Sequence, residues 1–231
     1  MRTRFRDRAE AGRQLATQLK AYRERPDVWV LGLPRGGIPV AYEVARALQA
    51  PLDICLVRKL GVPGHKELAM GAIAADGVQV LNYNILNWLN ISDHTVEQVA
   101  ARELRELQRR DRAYRGDRPH PELQDRTLLL IDDGIATGAT MRAAIALLKL
   151  QQPQQIVVAV PVAPSQTCQT LKAEADRVVC LITPEPFYAI GLWYEHFAQT
   201  SDDEVRELLA RSRKTHTLIS TAPTPAARNG R

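Results

Sequence analysis

In Thr127-Leu128-Leu129-Leu130-Ile131-Asp132-Asp133-Gly134-Ile135-Ala136-Thr137-Gly138-Ala139-Thr140-Met141, an aliphatic run ends in two adjacent acids and passes through a loop of small residues into a helix. Its apolar part has no polar alternation, as a strand covered on both faces requires. Working outward, similar runs occur at 28–33, 52–57, 156–160 and 178–182, and helix-length amphipathic stretches at 38–48 and 140–150 lie between them. Strands buried on both faces and joined by helical crossovers predict an α/β fold with a central parallel sheet flanked by helices. A leading amphipathic helix is expected over 8–23, where Leu15 and Leu19 stand four apart among Ala and polar residues.

The 231 residues suffice for one large domain, and 45% hydrophobic with 25% charged residues excludes disorder as the main state. No run reaches the roughly 20 apolar residues that cross a bilayer, and the basic N-terminus has no apolar signal core, so a soluble chain is expected, with no membrane partner. Cys55, Cys168 and Cys180 lack metal-finger spacing, and the contexts of Cys55 and Cys180 read as strand interiors. A reducing, cytoplasmic setting follows as an expectation. The net charge of +5 favours anionic ligands without requiring a polyanion.

Each part of the acid motif has its own chemistry. Strand ends of parallel sheets open into the ligand crevice, where Asp132 and Asp133 can accept hydrogen bonds from ribose hydroxyls and stabilise positive charge developing on a sugar ring. Small residues after them let backbone N–H groups close around an anion, and Thr137 and Thr140 add hydroxyls at a helix start whose dipole favours phosphate. Helix capping alone is the bland reading of the same residues, and it leaves the acid pair after four aliphatics unexplained.

The segment resembles the signature of type I phosphoribosyltransferases, which bind 5-phosphoribosyl 1-diphosphate. The resemblance implies that Asp132 and Asp133 hold the ribose hydroxyls and that Ala136, Thr137, Gly138, Ala139 and Thr140 bind the 5′-phosphate. One departure stands out: purine-salvage members carry an acid where Ala136 stands, and a methyl group accepts no proton from an acceptor base.

Three further segments support the resemblance. Leu31-Gly32-Leu33-Pro34-Arg35-Gly36-Gly37-Ile38 runs from the first strand into a helix; Gly36 and Gly37 permit close backbone approach, and Arg35 offers a charged fork. A dinucleotide-binding turn is the rival, but these glycines lack its spacing. The family resemblance makes this the diphosphate loop. At Arg58-Lys59-Leu60-Gly61-Val62-Pro63-Gly64-His65-Lys66-Glu67 the family closes a mobile loop over the reacting sugar, so Arg58 and Lys59 match its catalytic cations, with His65 and Lys66 following. Either this or a basic surface loop accounts for the residues. Near the C-terminus, Pro184-Glu185-Pro186-Phe187-Tyr188-Ala189-Ile190-Gly191-Leu192-Trp193-Tyr194 concentrates aromatics in a chain that is only 5% aromatic. It is similar to the hood segment where an aromatic covers the acceptor, a role for Phe187 or Trp193, while a hydrophobic plug is the other reading.

The expected organisation is one domain over 1–214, with a helical insertion at about 82–118, a hood at about 183–200 and a C-terminal helix over 202–213, followed by a flexible basic tail over 215–231. In the insertion, Val96, Val99, Leu104 and Leu107 keep helical spacing while Arg102, Arg105, Arg109, Arg110, Arg112 and Arg115 alternate with Glu97, Glu103 and Glu106. That pattern suits a solvated face better than a polyanion-binding one. His94, His120, His196 and His216 form no metal-ligand spacing, so no protein metal site is expected; Mg²⁺ would arrive hydrated on the diphosphate substrate. The implied function is transfer of a phosphoribosyl group to a nitrogenous acceptor with release of diphosphate. Two alternatives remain: a sensor of phosphoribosyl diphosphate that binds nucleic acid, and a hydrolase of a ribose phosphate. Self-association through the insertion helix or the N-terminal region is also an expectation.

Overall fold

A computed structural model of the chain describes residues 4–220, except for the side chains of Lys66, Glu67 and residues 216–220. Its centre is a five-stranded parallel sheet in the order β2-β1-β6-β7-β8, formed by β1 Val28–Gly32, β2 Leu52–Ile54, β6 Thr127–Ile131, β7 Gln155–Val162 and β8 Arg177–Ile182. β6 lies in the middle, with Leu130 beside Leu31 on one side and Val158 on the other. Alternate residues of these strands feed two layers. Leu129, Ile131, Val157 and Ala159 pack with α1 Arg8–Gln18, α2 Gly37–Leu48 and α7 Asp202–Ser220, through Leu15, Ile38 and Val205 among others. Leu128, Leu130, Val158 and Val160 pack with α5 Ala139–Lys149 and α6 Ser165–Lys172. The predicted parallel sheet covered on both faces is the architecture found.

Helix ends follow their sequence signals. Asp7 caps α1 by accepting from the Glu10 N–H at 2.7 Å, and the leading helix ends at Gln18, followed by a 3-10 turn, Lys20–Tyr22. Ser201 accepts from the Glu204 N–H at 3.1 Å, and Asp202, Asp203 and Glu204 complement the dipole of α7. α7 continues to Ser220 and takes in the first residues of the expected tail; 221–231 lie outside the described residues.

The expected strand over 52–57 is interrupted at Cys55 and Leu56. Beyond it, β3 Val57–Val62, β4 His65–Ala74 and β5 Gln79–Leu81 form a separate antiparallel sheet. The segment from Arg58 to Glu67, expected as an irregular mobile loop, is thus largely a hairpin turning at Pro63 and Gly64. Its strands hold because Leu60, Val62 and Met70 are buried, an alternation diluted in sequence by glycine and charge. Ala72 packs this sheet onto Ala143 and Leu147 of α5. The helical insertion is α3 Tyr83–Trp88 and α4 Asp93–Arg115, started by Asn82 and Ser92 as side-chain caps.

Cys168 of α6 and Cys180 of β8 form a disulfide, whereas Cys55 is a buried free thiol just beyond β2. That pairing, made where α6 packs on β8, was not among the readings of the cysteines from sequence. No helix among the described residues is long and apolar enough to cross a membrane.

Candidate active site

The strand order reverses between β1 and β6, the kind of switch point at which open α/β sheets bind ligands beyond the carboxyl ends of their strands. Asp132 and Asp133 leave β6 at this point, and Pro34-Arg35-Gly36-Gly37 leaves β1 beside them, with a cis bond between Pro34 and Arg35. The two loops are in contact. A Cβ on Gly36 would strike the Asp133 carboxylate, and one on Gly37 would lie 2.8 Å from the Ile131 carbonyl and 3.0 Å from Asp132 Oδ1. Glycine is required at both positions by this approach of backbone to acid. The sequence-predicted ribose acids and diphosphate loop thus meet at one place.

Asp133 is buried and firmly held. Arg8, at the start of α1, donates from Nε to Asp133 Oδ2 at 2.8 Å and from Nη1 to the Ala198 carbonyl at 2.7 Å. The Arg8 guanidinium lies 3.9 Å from the centre of the Phe197 ring. Tyr194 donates its hydroxyl to the Asp133 carbonyl, and its ring packs against Phe5 and Phe197. Asp132 is half-buried and accepts from the Asp133 N–H at 2.8 Å. Burial and the adjacent Asp133 charge push the Asp132 carboxyl well above the usual carboxylate range. Two acids sharing so little solvent resist carrying two charges, and a ligand offering hydroxyl donors or a cation would relieve them.

The loop after the acids is fastened at its base and open at its rim. Ile135 donates its N–H to the Val162 carbonyl at 2.9 Å, and Thr167 of α6 donates its hydroxyl to the Ala136 carbonyl at 2.9 Å. Gly138 takes φ +77, a left-handed conformation that turns the chain into α5. Ala136, Thr137, Ala139 and Thr140 are exposed around it; the Ala139 N–H faces Thr137 Oγ1 at 3.5 Å, and the Arg142 N–H donates to the Gly138 carbonyl at 2.9 Å as α5 begins. This arrangement can receive a phosphate.

Other sequence-predicted residues are placed differently. Arg35 is half-buried, its Nη1 3.5 Å from Asp202 Oδ1, and Asp202 also accepts from the Tyr114 hydroxyl at 2.6 Å. That hydrogen bond, then Arg35, holds the Asp202 carboxyl below its ordinary value. Arg58 points to α4, with Nε 2.6 Å from Glu103 Oε2, while neighbouring Lys59 lines a cavity of about 390 Å³ with Ala139, Arg142 and Glu174. The structure therefore parts the two cations onto opposite faces of β3 and sets Lys59 near the start of α5. His65 opens β4 and is exposed.

In the hood, Phe187 and Trp193 pack with Ile190, Phe197 and the buried Phe5 and Tyr194. The plug role is thus filled by these aromatics, and Tyr188, 79% exposed, faces solvent. Ile190 rests against Gly134 directly behind the acids. Arg8, Tyr194 and Thr167 are the members of the site that motif reading missed. Arg8 lies in the opening Phe5-Arg6-Asp7-Arg8, where nothing local indicates a partner 125 residues away. Among the described residues, no group of three His, Cys, Asp or Glu side chains could hold a metal.

Known proteins are similar to this chain in sequence and fold. The crystal structure of TT1426 from Thermus thermophilus superposes with a TM-score of 0.82 at 42% identity, covering 90% of this chain and 98% of its own. Two Mycobacterium tuberculosis proteins, from strains CDC 1551 and H37Rv and each provisionally named a phosphoribosyl transferase, are 48% identical over 210 residues. Those 210 residues are 91% of this chain and 47% of each relative, so the chain spans about half the length of these curated proteins. Residues 4–195 match the phosphoribosyl transferase domain, from the segment carrying Arg8 through the acid pair to the hood. With residues 4–195 matching that domain and relatives 48% identical over 91% of its length, the chain belongs to the phosphoribosyl transferase domain family.

Proposed function

We propose that the chain transfers a phosphoribosyl group from Mg²⁺-bound 5-phosphoribosyl 1-diphosphate to a nitrogenous acceptor, releasing diphosphate. The contact of Gly36 and Gly37 with Asp132 and Asp133 carries this reading, because one ligand bearing both a sugar and a diphosphate spans the two loops. Asp132 and Asp133 accept from the ribose hydroxyls, and Arg8 fixes the carboxylate orientation of Asp133. The 5′-phosphate sits on the N–H groups at Thr137–Thr140, and the diphosphate lies at Gly36–Gly37, where Arg35 can turn from Asp202 to meet it. As the bond from the anomeric carbon to the diphosphate oxygen breaks, positive charge grows on the sugar beside the acid pair, and negative charge departs toward Arg35. Mg²⁺ is part of the substrate, neutralising diphosphate oxygens. Lys59 is the nearer of the two hairpin cations to the phosphate end.

Ala136 provides no proton acceptor, so the acceptor arrives as a nucleophile needing no base at that position. The test is diphosphate release from phosphoribosyl diphosphate and Mg²⁺, with and without a pool of purines, pyrimidines and small amines. Pool-dependent release supports transfer; release that ignores the pool makes the protein a hydrolase; no release removes the enzymatic reading.

A further inference from the structure

A second cavity, of about 410 Å³, lies at the opposite end of the sheet from the acid pair. It is bounded by Trp29, Pro51 and Leu52 at the amino-terminal ends of β1 and β2, by Arg115, Arg118 and His120 after α4, and by Ser212 and Arg213 of α7. From Trp29 to Gly32, where the diphosphate loop begins, is roughly 10 Å of extended strand. This volume falls in the range that holds small-molecule ligands.

Its charges are unbalanced in a specific way. Arg115 is buried and engages Asp53, and its Nε lies 3.0 Å from Asp111 Oδ1; His120 Nε2 is 3.4 Å from the other Asp111 oxygen. Both nearby carboxylates are therefore committed. Arg118 is held by backbone, donating from Nε to the Arg115 carbonyl at 2.6 Å and from Nη2 to the Tyr114 carbonyl at 3.0 Å, which orients its guanidinium but does not neutralise it. Arg213 has no hydrogen bond or ion pair among the described residues and is half-buried. Burial, then the charges of Arg118 and Arg115, hold its pKa below the ordinary arginine value, with Asp53 opposing. Gathering uncompensated guanidiniums against a partly desolvated wall is unfavourable unless an anion joins them. Beside them stand a half-buried indole and the rings of Pro51, Pro119 and Pro121, an apolar wall suited to a flat ring.

We propose that this cavity is a second ligand site, which takes a phosphorylated small molecule with a planar base, a nucleoside 5′-monophosphate in chemical class. The phosphate lies between Arg118 and Arg213, and the base lies against Trp29. The site has a physical connection to the crevice: Tyr114, next to Arg115, donates to the same Asp202 that engages Arg35.

The 5′-phosphate loop could also bind a nucleotide, so the test compares variants within an Asp132→Asn, Asp133→Asn background. Adenosine 5′-monophosphate and inorganic phosphate are titrated calorimetrically into the full chain carrying that pair, with and without Arg118→Gln and Arg213→Gln. Saturable binding of adenosine monophosphate is expected, weakened at least tenfold by the two Arg substitutions, with Trp29→Leu weakening adenosine monophosphate but not phosphate. Circular dichroism checks folding, and Arg213→Gln alone, at a half-exposed helix position, decides the matter if the combined variant does not fold. Absence of saturable binding, or affinity unchanged by the Arg substitutions, overturns the proposal. So does tighter, steeply salt-dependent binding of RNA that displaces the nucleotide, which would make this a polyanion surface. None of these outcomes depends on whether the crevice transfers phosphoribosyl groups.

Discussion

Asp132 places function and stability in opposition. Its folded carboxyl titrates above the unfolded value near 3.8, because burial and Asp133 disfavour its charge. The fold thus loses stability as pH rises from the unfolded value through the folded one. Asp132→Asn keeps the oxygen that accepts from the Asp133 N–H and removes the charge. The variant is expected to melt higher, by a few degrees, while losing phosphoribosyl diphosphate binding; differential scanning calorimetry with a binding titration checks both. Gly36 makes the complementary case. Gly36→Ala drives a methyl group into the Asp133 carboxylate, and denaturant titration should show a loss of about 1–3 kcal/mol, the usual range for overpacking. The position of Asp132 at the crevice was legible in the sequence because an acid pair directly after an aliphatic strand stands at that strand's carboxyl end. Arg8 was not, since its partner is brought to it only by the fold.

At the level of elements, α1 reaches across the sheet to the site. Arg8 and Asp133 side chains are each 12% exposed, so Arg8→Ala leaves a buried carboxylate uncompensated beside a second acid. The expected cost is about 3 kcal/mol, read as a shift in the urea midpoint with an unchanged slope. α4 shows why its arginine series does not by itself make a polyanion face: Arg109 and Arg110 both engage Glu106, and Arg58 and Arg102 both engage Glu103. Alternating charge in the sequence suggested this solvated pattern, but the pairing of Glu103 with a strand outside the insertion had no local signal. The β3–β4 hairpin was hidden for a different reason. Gly61, Pro63 and Gly64 are the residues of an irregular loop as much as of a bulged hairpin, and only packing of Leu60 and Ala72 against the core separates the two.

Across the whole molecule, the parallel sheet followed from strand composition and spacing, whereas strand order, and with it the switch point, needed the structure. The periphery also carries a pH dependence. Glu106 is held at about 2 against an ordinary 4.5 by hydrogen bonds from Arg109 and Arg110, and Asp27 at about 2 against 3.8 by Arg25 and then Thr127. Both contribute stability that is complete above their ordinary values and lost as pH falls from about 4.5 toward 2. Asp27→Asn with Glu106→Gln is therefore expected to flatten the acid limb of the stability profile over that window, as followed by melting temperature against pH. The unity of the crevice is tested most directly by equilibrium binding of 5-phosphoribosyl 1-diphosphate with Mg²⁺ to the native chain and to the Asp132→Asn, Asp133→Asn variant. Saturable binding by the native chain that falls at least tenfold in a folded variant is the expected result. Equal affinity in the two, or no binding by either, would contradict the assignment of the acid pair to the sugar.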